Sequence, residues 1–362
     1  MSLISYPNNE PLAIAEIAVS THSKFLSQRR FGSLDGLRAI SIIGVIWHHT
    51  AAAGMGAPWA NIGSQGVSLF FAISGFLITT LLLRERERNG EMDLKAFYFR
   101  RMLRIFPLYY GVLLLYIIIV FLMERNSAVG QGFFNNLVYF ATYTSNIFVP
   151  LDGRVIFYFA WSLAAEEQFY IIWPLVLYLT VTLARASVPL CLVFVACVAG
   201  QVFGIRFLSE VPLAIVTSAL LSIGLHSKKC FPLLQFVLGR TWSAVAFGVA
   251  LIVGLTVPVV PEFVLQTLFT AFVGSCVIRE DNHFAPMFLL KPVAYIGTIS
   301  YGMYMLHMLC KNVVVKLAST LKFSAGGLEV FLLTLVAAVI AATLSFRYYE
   351  SYFMKLKTVH ER

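Results

Sequence analysis

Charge is scarce in this sequence. Only 12% of its 362 residues are Asp, Glu, Lys or Arg, about half the roughly 25% of an ordinary soluble domain. Hydrophobic residues other than Gly make up 59%, and with Gly the apolar share is about 66%, against about 45–50% in soluble chains. This shortage excludes a soluble globular enzyme, a disordered chain and a coiled coil. Cysteine is also sparse. Cys191, Cys197, Cys230, Cys276 and Cys310 are odd in number, mostly within apolar stretches, and no pair has metal-ligand spacing. They read as small core residues, which excludes a disulfide framework. No set of carboxylates, His and Cys has ligand spacing either, so no metal is expected. There is no Walker loop, no G-x-G-x-x-G and no G-x-S-x-G elbow, and no fixed-period repeat. The first 30 residues hold one weak apolar run, Pro11 to Val19, interrupted by Glu16. That is neither a signal peptide nor a span.

What is abundant is long apolar runs. They lie near 37–53, 65–83, 105–123, 157–183, 188–208, 210–226, 242–260, 262–278, 295–316 and 327–348. The runs are continuous over about 20 residues, as a helical span requires and a barrel strand does not. The reading is an all-α, polytopic membrane protein with about ten transmembrane helices. A shorter run, 137–149, carries Thr142, Thr144, Ser145 and Asn146 and suits a re-entrant or interfacial segment. The net charge of +9 comes from short basic clusters between apolar runs, which mark a cytoplasmic side and not a nucleic-acid surface. With ten spans and both termini cytoplasmic, 21 of the 27 Lys and Arg residues fall inside. Counting 137–149 as a span would move Lys228 and Lys229 outside. The domain reading is a cytoplasmic tail 1–32, a membrane domain 33–348 and a cytoplasmic tail 349–362. The stretch 84–104 reads as one long charged cytoplasmic loop.

Ionisable side chains within spans are costly and usually face a cavity or a partner. The first span holds Asp35 and Arg38 at its start and His48-His49 at its end. Arg38 and His49 are eleven residues apart, so on a helix they share a face, with His49 about 16 Å deeper. His48 points roughly 80° away. An imidazole, with a reference pKa near 6.5, can serve as a base at neutral pH; the plainer alternative is a packing histidine between helices. Ser74-Gly75 in the second span fits a close-packing site. Arg100, Arg101 and Arg104 form one helical face ahead of the third span, suited either to lipid phosphates or to the phosphates of a cytoplasmic cofactor. The fourth span opens with Trp161, Glu166 and Glu167. In the ninth, Tyr301, Tyr304 and His307 form a polar stripe, facing a cavity or another helix.

Taken in order, Ser33-Leu34-Asp35-Gly36-Leu37-Arg38-Ala39 with His49, Phe70 to Leu77, Arg101-Met102-Leu103-Arg104-Ile105-Phe106-Pro107, Trp161 to Tyr170 and Ile299 to His307 resemble the bacterial acyltransferase-3 family of integral membrane O-acyltransferases. The match covers about 33–348. The resemblance implies a multi-pass enzyme of the bacterial inner membrane. Such an enzyme moves an acyl group from cytoplasmic acyl-CoA, acetyl-CoA by default and succinyl-CoA as second choice, to a hydroxyl of a cell-surface or exported glycan or glycolipid. The family's Arg-x10-His pair falls on Arg38 and His49, its Arg-x-x-Arg pair on Arg101 and Arg104, and its glutamate on Glu166. Many members carry a further soluble domain after the membrane part, which is expected to be absent here because the sequence ends 14 residues after Tyr348.

These implications set the expectations. His49 is the general base on the acceptor hydroxyl. Glu166 orients or charge-stabilises His49, or binds the sugar. Arg101 and Arg104, with Arg100, hold the CoA phosphates, and Arg38 lines the same entry. Asp35, Ser74, Trp161, Tyr301, Tyr304 and His307 support the site. Membrane lipid and the glycan acceptor are the partners, glycan-synthesis machinery is a candidate one, and nucleic acid is not. The rivals are a secondary transporter with an Arg/Glu/His relay and a glycan or lipid flippase. Neither needs CoA.

Overall fold

The computed structural model describes residues 21–28, 30–50, 62–149, 154–180, 182–205, 208, 211–257, 259–321 and 326–360. The Pro11–Val19 run and the end of the first apolar run, 51–53, lie outside them. Among the described residues the chain is helical, without strands. The long helices lie on the apolar runs. We name them α1 (Gly32–Thr50), α2 (Gly66–Asn89), α3 (Leu94–Met123), α4 (Ala160–Leu179), α5 (Leu183–Phe203), α6 (Leu213–His226), α7 (Ser243–Thr256), α8 (Glu262–Ile278), α9 (Lys291–Thr320) and α10 (Gly327–Ser345).

Four helical stretches are individually long and apolar enough to cross a membrane: Ile62–Asn89, α3, α5 and Gly327–Leu356. The short helix Phe231–Leu238 and α7, bent by 70°, make a fifth if taken as one span. α6 and α8 are shorter apolar helices. The remaining long helices, α1, α4 and α9, carry Arg38 and His49, Glu166 and Glu167, and His307. Polar side chains dilute their hydropathy, and these same side chains build the site.

The stretch 84–104 is not a loop. Arg84 to Arg88 extend α2 to Asn89, where Gly90 ends it in the left-handed region at φ 80°. Asp93 then caps the next helix by accepting the Ala96 N–H at 2.8 Å. Arg and Glu are good helix formers, so only Gly90 and Asp93 punctuate the segment. Consequently Arg100, Arg101 and Arg104 sit on the first turns of α3. The 137–149 run folds as two short helices, Leu137–Ala141 and Ser145–Phe148, broken at Tyr143 with φ 54°. Past α10 the helix does not stop at 348. A wide turn, Phe346–Glu350, leads into Ser351–His360, which packs back on α3.

Two apolar clusters form the interior. One is built on α2, α6 and α8 with the start of α5 and the inner face of α4. The other is built on α1, α3, α9 and α10 with residues 133–160. α6 runs along α2, and α9 along both α1 and α10. The α2–α6 approach depends on Gly75, where a Cβ would collide with the Ile215 carbonyl oxygen and the Ser218 hydroxyl. Val67, Phe106 and Tyr301 pack against both clusters. The polar residues of α1, α4 and α9 lie along this seam.

Candidate active site

At the start of α1, Asp35 accepts from Arg30 at 2.5 Å and from Arg38 at 3.2 Å. Asp35 therefore holds Arg38 while leaving part of its guanidinium donors for other partners. Arg101 and Arg104, one turn apart on α3, complete a nest in which the three arginine charges act on one another. Arg38 and Arg101 are half-buried and Arg104 is exposed. The acids around them are Asp35 and Glu166 near Arg38, Glu167 near Arg101 and Glu350 near Arg104. The Arg101 guanidinium lies 4.8 Å from the centre of the Tyr170 ring, a cation–π distance. Glu166 accepts hydrogen bonds from the hydroxyls of Ser74 on α2 and Tyr170 one turn along α4. Its carboxylate is thus fixed by two helices beside the arginines. Arg100 points elsewhere and pairs with Glu85 at 3.4 Å.

Three turns along α1, His49 meets α9. Its Nδ1 lies 3.0 Å from Nε2 of His307. His307 is fully buried, with its Nδ1 2.6 Å from the Tyr304 carbonyl oxygen. His49 stays half-exposed. The rings of His48 and Tyr158 stand 5.1 and 5.7 Å from its own. Lys311, one turn beyond His307, is a cation whose charge acts on the pair.

The sequence-derived residues therefore fall into two groups joined by α1. Arg38, Arg101, Arg104, Asp35, Ser74 and Glu166 gather at one end. His49 and His307 gather at the other, about 16 Å away by helix rise. Glu166 is bonded by Ser74 and Tyr170 beside the arginine nest, and His307 takes the position next to His49. Tyr301 and Tyr304 use their hydroxyls for packing. Tyr301 donates to the Ile105 carbonyl at 2.7 Å. Tyr304 donates to the Phe159 carbonyl at 2.9 Å and lies 2.6 Å from the Ser162 hydroxyl. Trp161 stacks edge-on against Phe71 and lines a separate cavity of about 1150 Å³. Tyr170, Tyr158 and Glu350 escaped the sequence reading as site residues. The signal for Glu350 was its isolation, as the lone acid between Glu329 and Glu361. Tyr170 lay on the Glu166 face, one turn on. Nothing local marks Tyr158, which is placed by a turn in which Phe157 adopts φ 64°.

An arginine nest with an exposed member can hold several phosphate oxygens. A half-exposed imidazole with a fixed neighbour can move a proton. The known proteins that this chain resembles combine with that geometry. It is 29% identical over 380 residues to the peptidoglycan O-acetyltransferase OatA of Listeria monocytogenes, covering 90% of this chain and 56% of that protein. It is 26% identical over 363 residues to the O-acetyltransferase OatA of Staphylococcus aureus, covering 91% of this chain and 58% of that protein. The chain thus spans little more than half the length of these relatives. No solved structure matches it. The model of the family described as an acyltransferase domain matches residues 31–347, which span α1 to α10 and both groups of polar residues, and the chain belongs to this acyltransferase-3 family.

Proposed function

We propose that this chain is a membrane O-acyltransferase that takes an acyl group, acetyl by default, from cytoplasmic acyl-CoA and passes it to a hydroxyl of a cell-surface glycan. In this reading the ten long helices all cross the bacterial inner membrane, both termini are cytoplasmic, and the arginine nest faces the cytoplasm. The name of the Listeria relative, a peptidoglycan O-acetyltransferase, supports peptidoglycan as the acceptor class. The observation that carries the proposal is the placement of Arg38 and His49 on one face of one helix, with the phosphate-binding chemistry at one end and the proton-accepting chemistry at the other. Acyl-CoA has the matching layout, with its phosphates far from its thioester.

In the reaction the acceptor hydroxyl gives its proton to His49 while its oxygen attacks the thioester carbonyl. A C–O bond forms, the C–S bond breaks, and the proton on His49 returns to the departing thiolate. Positioned proton transfer is worth about 10²–10⁴-fold. Arg101 and Arg104 hold the donor phosphates, and Arg38, oriented by Asp35, lines their entry. Glu166, fixed by Ser74 and Tyr170, balances the arginine charge so that the nest stays assembled without donor.

The test uses the purified chain in lipid nanodiscs with radiolabelled acetyl-CoA and soluble peptidoglycan fragments. Acyl-CoA binding followed by label on the glycan is the expected result. A chain that binds no acyl-CoA, or that moves glycan across a bilayer without acylating it, would replace the reading with a flippase or transporter.

A further inference from the structure

We propose that His307 is the positioning residue for His49, fixing which ring nitrogen of His49 carries the proton. The inference rests on the reading of His49 as the base and adds the group that makes it one. The argument is one of hydrogen-bond bookkeeping. A carbonyl oxygen can only accept, so at 2.6 Å from the Tyr304 carbonyl the Nδ1 of His307 must carry its hydrogen. In a neutral imidazole the other nitrogen is then a bare acceptor. That nitrogen, Nε2, lies 3.0 Å from Nδ1 of His49, so His49 donates there and its own Nδ1 is protonated. That contact leaves Nε2 of His49 without a proton, which is the state a general base needs.

His307 is suited to this task because it cannot turn. It is fully buried, and the Phe159 ring packs edge-on against it at 5.6 Å. The Tyr304 that anchors it is itself held by the Phe159 carbonyl and the Ser162 hydroxyl. A chain of fixed groups thus runs from the entry of α4 through α9 to His49. It follows the general arrangement of a base oriented by a third group. When His49 accepts the acceptor proton, the resulting imidazolium keeps a neutral hydrogen-bond acceptor in His307, so the charge is stabilised where it forms. The other ionisable groups facing the pair are His48, Tyr158 and Lys311.

The experiment compares His307→Leu, which removes the acceptor, with His307→Gln, whose side-chain carbonyl can restore it. Donor KM, acyl-CoA affinity and single-turnover transfer are measured for each. Because His49 itself stays in place, His307→Leu is expected to slow transfer by roughly 10–100-fold, below the full effect of a general base. Donor affinity should not change, and His307→Gln should recover most of the rate. Equal rates in the two variants, with acyl-CoA binding retained, would overturn the proposal. Should the Leu variant fail to fold, nitrogen chemical shifts of His49 in the wild-type protein decide instead. A protonated Nδ1 with a bare Nε2 is expected, and a protonated Nε2 overturns the assignment. His49→Ala, run alongside, separates the two readings. If His49→Ala is active, the base reading itself falls. If it is inactive while both His307 variants match wild type, only the positioning role falls.

Discussion

The arginine nest makes a quantitative demand on donor binding. Arg38, Arg101 and Arg104 repel one another, and the acids near them are Asp35, Glu166, Glu167 and Glu350. Asp35 is shared with Arg30. Removing Arg101 costs the fold its stacking on Tyr170, about 0.5–1 kcal/mol at such a site, and relieves repulsion of the opposite sign. Thermal stability of Arg101→Ala and Arg104→Ala should therefore stay near wild type. Donor binding should not. A hydrogen bond to a charged group contributes about 1.5–3 kcal/mol, so each variant should weaken acyl-CoA binding by roughly 10–150-fold. The double variant should fall short of the product, because the two side chains share one ligand. Lys at either position should rescue only in part, since an ammonium lacks the planar fork. Calorimetry on nanodisc-embedded wild type and variants at fixed ionic strength measures these affinities. Wild-type affinity in the double Ala variant would refute the reasoning and return the arginines to lipid phosphates.

Three further outcomes are expected. Reporters fused after Gly90 and after His360 should read cytoplasmic, and one within 128–132 should read outside; a cytoplasmic signal at 128–132 would break the ten-crossing arrangement. Gly75→Ala should destabilise the membrane domain by about 1–3 kcal/mol, as overpacking does, because its Cβ meets the backbone of α6; an unchanged melting temperature would show that α2 and α6 can separate. Glu280, on the loop after α8, accepts the Gly32 N–H at 2.8 Å, and burial raises its carboxyl above the ordinary glutamate range. A raised carboxyl favours the protonated folded form, so this part of the stability is present at low pH and is lost as pH rises from the ordinary glutamate value near 4.3 through the raised one. Glu280→Gln should gain melting temperature relative to wild type over that rise, and parallel curves would contradict it.

The helices were legible in the sequence because apolar runs of span length leave a chain few other options. Their ends were less so. Arg84 to Arg104 looked like a loop because charge was read as solvent, whereas Arg and Glu extend helices and only Gly90 and Asp93 stop them. The arginine nest was half legible: Arg101 and Arg104 at one-turn spacing and Arg38 aligned with His49 are visible in one dimension. Arg100 shares that spacing, but Glu85 on the preceding helix draws it away. The partner of His49 could not be found by spacing. Orienting His49 was one of the roles open to Glu166, yet the contact is with His307, 258 residues along the chain. That contact depends on how α9 packs against α1, a property of two helix faces together. The Tyr301, Tyr304 and His307 stripe split for the same reason, since each hydroxyl found a nearby carbonyl and only the imidazole reached the site.

The central claim is that His49 moves the acceptor proton while the arginines hold the donor. Single-turnover transfer from acetyl-CoA in His49→Ala, at matched expression and with acyl-CoA affinity measured on the same sample, tests it most directly. The account predicts transfer lost by roughly 10²–10⁴-fold, with donor affinity unchanged, and a much milder effect in His48→Ala. Wild-type turnover in His49→Ala, or loss confined to His48→Ala, would contradict it.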